Sequence, residues 1–176
     1  LTIATQMQGV IVGWQIYEHT KDALSLGLIG LAEAVPFILV SLLAGHVADI
    51  VSRKKIIMIS VSVYFLASMA LMFFTLNDSS ILRTYGTAPI FMIIGLTGLA
   101  RGFAMPSFSA LMPQLVPREM YANSSAWNST VWQTGAVSGP ALGGLIYGFL
   151  GVTKAYAVVA GFIVLAIAGI LFIANK

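Results

Sequence analysis

Apolar residues run along this chain in six long blocks separated by short polar breaks. The blocks cover 1–17, 24–50, 56–76, 87–114, 122–150 and 152–174. All but the first reach the roughly 20 residues that an α-helix needs to cross a bilayer. The first begins at Leu1 without a charged flank and holds Gln6, Gln8 and Gln15. It does not resemble a signal peptide, and reads as the tail of a helix whose start lies outside the sequence. The connections at 18–23, 51–55, 77–86 and 115–121 are short, which favours antiparallel neighbours. The pattern predicts an all-α membrane protein, a six-transmembrane-helix bundle.

Composition names the solvent. Hydrophobic residues make up 59% of the chain and charged residues 9%, against about 25% charge in a soluble domain. So few charges cannot clothe a water-facing surface, and the lipid bilayer is the expected surrounding. The net charge of +3 is too small and scattered to point to nucleic acid. With no cysteine, disulfides and thiolate metal sites are excluded. His19 sits in a loop next to Glu18 and reads as solvated, and His46 adjoins the basic loop with no second histidine or acid at ligand spacing, so no metal is expected. No phosphate-binding loop, nucleophile–base pair or haem-like histidine pair is visible, which argues against an enzyme and against a cofactor.

Arg53, Lys54, Lys55, Arg118 and Lys176 fall on one side of the predicted topology, and Lys21, Arg83 and Lys154 on the other. The bias predicts that 51–55, 115–121 and the C-terminus are cytoplasmic.

Four groups of residues stand out. Gly45 and Asp49 share a helical face at i and i+4. Asp49 lies where a helix C-terminus disfavours negative charge, so Arg53 or another cation, with Lys54 beside it, is expected to compensate it. Glu33 and Arg101 lie deep inside the second and fourth blocks, where a charge costs about 2.5–3.5 kcal/mol or more. A structural pair and a substrate or proton site are both open readings. Thr5, Gln8 and Gln15 fall on one face of the first block and suit either helix–helix hydrogen bonding or a wet pathway. Gly135, Gly139 and Gly143 repeat every four residues, Asn128 and Trp132 extend that stripe, and Gly144 follows it. Such a face lets helices approach closely, and Pro140 should bend the helix.

On these residues the chain resembles the N-terminal six-helix half of a major facilitator superfamily transporter. Gly45 to Lys54 resembles that superfamily's signature between its second and third helices, G-x-x-x-D-x-x-G-[RK]-[RK]. Ser52 stands where the signature has glycine, and Ile50 where a cation is frequent. Residues 135–144 are similar to the fifth-helix motif of proton-driven exporters. The stretches Gly13-Trp-Gln-Ile-Tyr-Glu-His-Thr, Leu28-Ile-Gly-Leu-Ala-Glu-Ala-Val-Pro and Leu115-Val-Pro-Arg-Glu resemble the enterobactin exporter-like and macrolide efflux-like branch.

The resemblance implies one domain over 1–176, with its first helix truncated and the C-terminal six-helix half absent. It implies proton-coupled efflux of a small molecule by alternating access, in a bacterial inner membrane. Asp49 and Arg53 would hold one state by bridging to the other half. Gly45, Lys54, Gly135, Gly139, Pro140, Gly143 and Gly144 would share in gating. Glu33 and Arg101 would form the charged cavity site, with Gln8, Gln15, Asn128 and Trp132 along the pathway. An apolar or amphipathic solute fits the branch and the aromatic candidates Trp14 and Trp132. The alternative is a channel-like or structural membrane subunit without a transport cycle.

Overall fold

A computed structural model describes residues 1–76 and 80–172. Helices α1 (Thr2–Thr20), α2 (Ala23–Ile50), α3 (Arg53–Leu76), α5 (Ala88–Leu115), α6 (Tyr121–Leu150) and α7 (Val152–Leu171) are the six expected blocks. A short α4 (Ser80–Tyr85) lies inside the connection expected at 77–86, and one 3₁₀ turn, Arg118–Met120, precedes α6. Asn77–Ser79 and the cation Lys176 lie outside the described residues. No strand occurs among the described residues.

The turns are tighter than the polar breaks suggest. Helix α1 ends at Lys21, which takes the left-handed conformation (φ 52°) and donates its N–H to the Tyr17 carbonyl at 2.8 Å. Asp22 then caps α2, its carboxylate accepting from the Leu24 N–H at 3.1 Å. Gly151 alone joins α6 to α7, and its φ of 83° suits glycine. The connection expected at 51–55 shrinks to Val51 and Ser52. The Ser52 carbonyl accepts from Lys55 and Ile56, and good helix formers follow it. Arg53, Lys54 and Lys55 therefore form the first turn of α3. At the end of α5, the Pro113 carbonyl would bond the residue four positions on, but Pro117 has no N–H. The Tyr121 hydroxyl supplies the donor at 2.9 Å.

In the packed bundle, α1 lies against α6 and α7, α2 against α5, and α3 against both α5 and α7. The core collects Met7, Ile11 and Ile16 from α1, Ile57, Val61 and Leu71 from α3, and Tyr156, Val159 and Ile163 from α7. Long-range bonds hold the ends of α3. The Arg53 guanidinium donates to the Ala110 carbonyl at 3.2 Å and Lys54 Nζ to the Leu171 carbonyl at 3.4 Å. At the other end, the Thr153 hydroxyl donates to Thr75 Oγ1 at 2.8 Å. Helix α3 thus runs antiparallel to α5 and α7.

Outside the core the bundle is apolar. Leu39, Leu42 and Leu43 of α2 are exposed, as are Leu66 and Phe73 of α3. A continuous apolar exterior is a surface for lipid or for another protein, not for water. By length and composition α2, α3, α5 and α7 are apolar enough to cross a membrane. Helices α1 and α6 carry the amides and hydroxyls that lower their hydropathy.

Candidate functional site

The site begins with three glycines. Gly95, Gly98 and Gly102 lie on one face of α5, where the backbone of α2 comes against them. A Cβ on Gly98 would collide with the Glu33 carbonyl, and one on Gly102 would stand 3.2 Å from the Phe37 carbonyl. Such bare backbone lets two helices cross closely. The crossing carries two long charged side chains into reach. Arg101 Nη1 donates to Glu33 Oε1 at 2.9 Å. The Arg101 guanidinium also lies 5.8 Å from the centre of the Phe37 ring, a cation–π distance. Tyr64 of α3, mostly buried, is within electrostatic reach of both charges.

This pair is not sealed in the core. The two side chains keep 48% (Arg101) and 34% (Glu33) of their surface, so they open on the flank of the bundle. The structure brings together the two charges that the sequence singled out, and leaves them accessible to a solute.

The glutamines are elsewhere. Gln8 and Gln15 are 6% and 3% exposed, in the interior packed by α1 and α7. Gln15 Oε1 accepts from the Tyr156 hydroxyl at 2.6 Å, while Gln8 Oε1 has no hydrogen-bond partner among the described residues. The polar stripe on α1 thus turns inward, because its neighbours Ala4, Met7 and Ile11 are core residues. Of the two readings of these amides, the Gln15–Tyr156 bond is of the helix–helix kind. Asn128 and Trp132 lie on the first half of α6, which is exposed on nearly all sides. Among the described residues, no hydrogen bond or ion pair joins them to Glu33 or Arg101.

The stripe of Gly135, Gly139 and Gly143 is already filled. A Cβ at Gly135 would stand 2.9 Å from Thr2 Cγ2, at Gly139 2.7 Å from Gln6 Cβ, and at Gly143 3.1 Å from the Met7 Cα. The close approach expected of this face is made within the chain: it seats on α1. Gly45 and Gly144 face open space. Helix α6 continues through Pro140 without a break.

At the α2–α3 turn, Asp49 is exposed and forms no ion pair with Arg53. The cations at the start of α3 oppose that helix's dipole. They are satisfied instead by carbonyls near the C-terminal ends of α5 and α7, where the dipoles are favourable. The expected compensation of Asp49 by Arg53 does not form, because Arg53 points along α5. No cluster of metal-ligating side chains occurs among the described residues.

Sequence reasoning missed the glycines of α5, although i, i+3 and i+7 spacing places Gly95, Gly98 and Gly102 on one face. It also missed Phe37 and Tyr64, whose partners come from other helices and leave no local pattern.

A bundle of long apolar helices with an apolar exterior and an ion pair at a helix crossing defines an integral, multi-pass membrane protein of the all-α class. Residues 1–176 match the Major Facilitator Superfamily throughout, and the chain belongs to it. It is similar to the Multidrug efflux pump Tap of Mycolicibacterium fortuitum, 22% identical over 152 residues, covering 84% of this chain and 36% of the relative. It is also similar to the Staphyloferrin A transporter of Staphylococcus aureus (strain NCTC 8325 / PS 47), 25% identical over 138 residues, covering 77% of this chain and 33% of the relative. The matched region spans about a third of either relative. No solved structure matches the chain.

Proposed function

We propose that this bundle is the N-terminal half of an exporter that moves a small molecule across a bacterial plasma membrane by alternating access, with protons as the driving ion and no enzymatic step. The Glu33–Arg101 pair carries the reading. It sits at a glycine-lined crossing, its partners are 2.9 Å apart, and both remain partly open. A proton taken up by Glu33 releases Arg101, and a released Arg101 is free to hold an anionic group of a solute. Loss of the proton restores the pair and expels the solute. Two observations support the reading: superfamily membership, and relatives whose names describe drug efflux and siderophore transport. The enterobactin exporter-like and macrolide efflux-like stretches point the same way.

The filled glycine stripe bears on how such a protein would move. With Gly135, Gly139 and Gly143 seated on α1, the half is locked internally. Rocking then takes place between two rigid halves, the second lying outside these residues. Asp49, with no partner among the described residues, is left for the opposite half. The α2–α3 turn faces the cytoplasm in this reading.

The experiment is export by the full-length protein in everted vesicles, with a drug panel and a ferric-siderophore ligand, with and without an imposed proton gradient. Glu33→Gln and Arg101→Gln should each abolish gradient-driven export while the protein still inserts and melts cooperatively. Unchanged export in both variants removes the pair from the mechanism, and gradient-independent flux favours a channel-like subunit.

A further inference from the structure

At the opposite end of the bundle from Arg53, the last turns of α1 meet α2 and α6 in an aromatic corner. Val10, Gly13, Trp14 and Tyr17 of α1 and Leu26 of α2 line a cavity of about 350 Å³, within the roughly 300–1,000 Å³ range of small-molecule sites. Gly13 helps to make it: the nearest atom to a Cβ there is Leu26 Cδ2, at 3.8 Å. Trp14 is 51% exposed. The rings of Trp14 and Tyr17 stand nearly perpendicular, 84° apart with centroids at 6.4 Å. A third ring, Tyr147 of α6, stacks on Trp14 at 28° and 6.4 Å.

The corner holds a carboxylate as well as aromatic rings. The Tyr147 hydroxyl donates to Glu18 Oε2 at 2.5 Å, a neutral donor that leaves the carboxylate charge uncancelled. No cation pairs with Glu18 among the described residues. His19 turns away, its Nδ1 bonded to the Gln15 carbonyl at 3.0 Å. Asp22 is occupied as the cap of α2. Lys21 Nζ lies 6.0 Å from the Tyr17 ring centre, so the chain itself already rests a cation against these rings. Aromatic faces attract cations, Trp most strongly. A lipid tail would gain nothing from Glu18, and an anion would be repelled by it.

We propose that this α1–α2–α6 corner is a binding site for a lipophilic organic cation, an ammonium or phosphonium centre carried on aromatic or alkyl groups. The apolar groups fill the cavity, and the charged centre lies among Trp14, Tyr17 and Glu18. The proposal goes beyond the export reading and does not depend on it, because binding here requires neither Glu33 nor a transport cycle.

Equilibrium binding of radiolabelled tetraphenylphosphonium to the full-length protein in nanodiscs tests it, with empty nanodiscs as the measure of lipid partition. Saturable binding is expected. Trp14→Leu should weaken it roughly 5- to 30-fold, the range of a partly desolvated cation–π contact. Trp14→Phe should hold it within about threefold, since a π face remains. Glu18→Gln keeps an acceptor for Tyr147 and should also weaken binding. Leu42→Ala, on exposed α2 surface, should not. Tetraphenylborate, an anion of nearly the same shape, should not compete. Binding indifferent to Trp14→Leu, or equal binding of the anion that ignores Glu18→Gln, overturns the proposal; the second result would mark a groove for lipid or another apolar surface.

Discussion

At the α1–α6 crossing, Gly135, Gly139 and Gly143 lie against Thr2, Ile3, Gln6 and Met7; at the α2–α5 crossing, Gly95, Gly98 and Gly102 lie against Ala32, Glu33 and Phe37. Both use glycine to bring two backbones together. The first seam is neutral and its partners include the core residue Met7. The second has Arg101 beside its glycines and Glu33 on the facing helix, and the charged ends emerge on the flank. Close approach therefore does different work in the two places. In one it only holds helices. In the other it also fixes the distance between two charges.

The comparison can be broken at its tightest point first. Gly98→Leu is expected to cost about 3 kcal/mol or more, since its Cβ meets backbone of α2 that cannot yield as a side chain can. Insertion yield and a detergent melting curve measure it. Gly169→Leu is the control: it faces open space and should stay within about 0.5 kcal/mol. If both behave alike, the α2–α5 seam is looser than described.

Next comes Gly139→Leu, with an expected loss of about 1–3 kcal/mol. Part of the obstruction is the Gln6 side chain, but the Ile3 carbonyl at 3.0 Å also stands in the way. Export by the full-length protein should fall in proportion to folded protein, because the stripe locks the half. A loss of export at full stability would return the stripe to a gating role.

The ion pair gives a smaller stability effect. With both side chains well over a quarter exposed, a double-mutant cycle of Glu33→Gln and Arg101→Gln should yield a coupling of about 0.2–1 kcal/mol in detergent. Export should remain lost in the double variant even where stability returns. Additive stability changes would show that the pair is not formed in the membrane-embedded protein.

Asp49→Asn should change stability least, within about 0.5 kcal/mol, because Asp49 is exposed and has no partner among the described residues. It should nonetheless cripple export. A clear fall in melting temperature would mean that Asp49 supports the half itself.

Much of this was legible beforehand, for identifiable reasons. Blocks of apolar residues long enough for a bilayer leave few alternatives to helices, so the six elements followed from length, whereas the packing neighbours did not: α1 packs parallel to α6 and α2 parallel to α5. Glu33 and Arg101 could be paired because charges are rare and costly at such depth. The face of α1 stayed open because amides serve equally in a core and along a pathway, and the Tyr156 partner of Gln15, 141 residues away, leaves no local pattern. The seat of the α6 glycines could not be read for the same reason: a small-residue face states that something approaches and does not name it. The α2–α3 turn came out shorter because Ser52, in the place of the usual glycine, accepts the first bonds of α3 directly after Val51 caps α2.

The bonds that hold α3 also set an order of assembly. Lys54 reaches Leu171 across 117 positions, Ser68 reaches Tyr156 across 88, and Thr153 reaches Thr75 across 78. A ribosome adding about 5–20 residues per second needs on the order of ten seconds between making the two sides of such a bond. Through that interval α3 is in place without α7, the Ser68 hydroxyl lacking the Tyr156 carbonyl and one flank bare. Closure of the bundle is therefore an event of its last helix, and whatever shelters α3 in the nascent membrane protein must let go when Val152–Leu171 arrives.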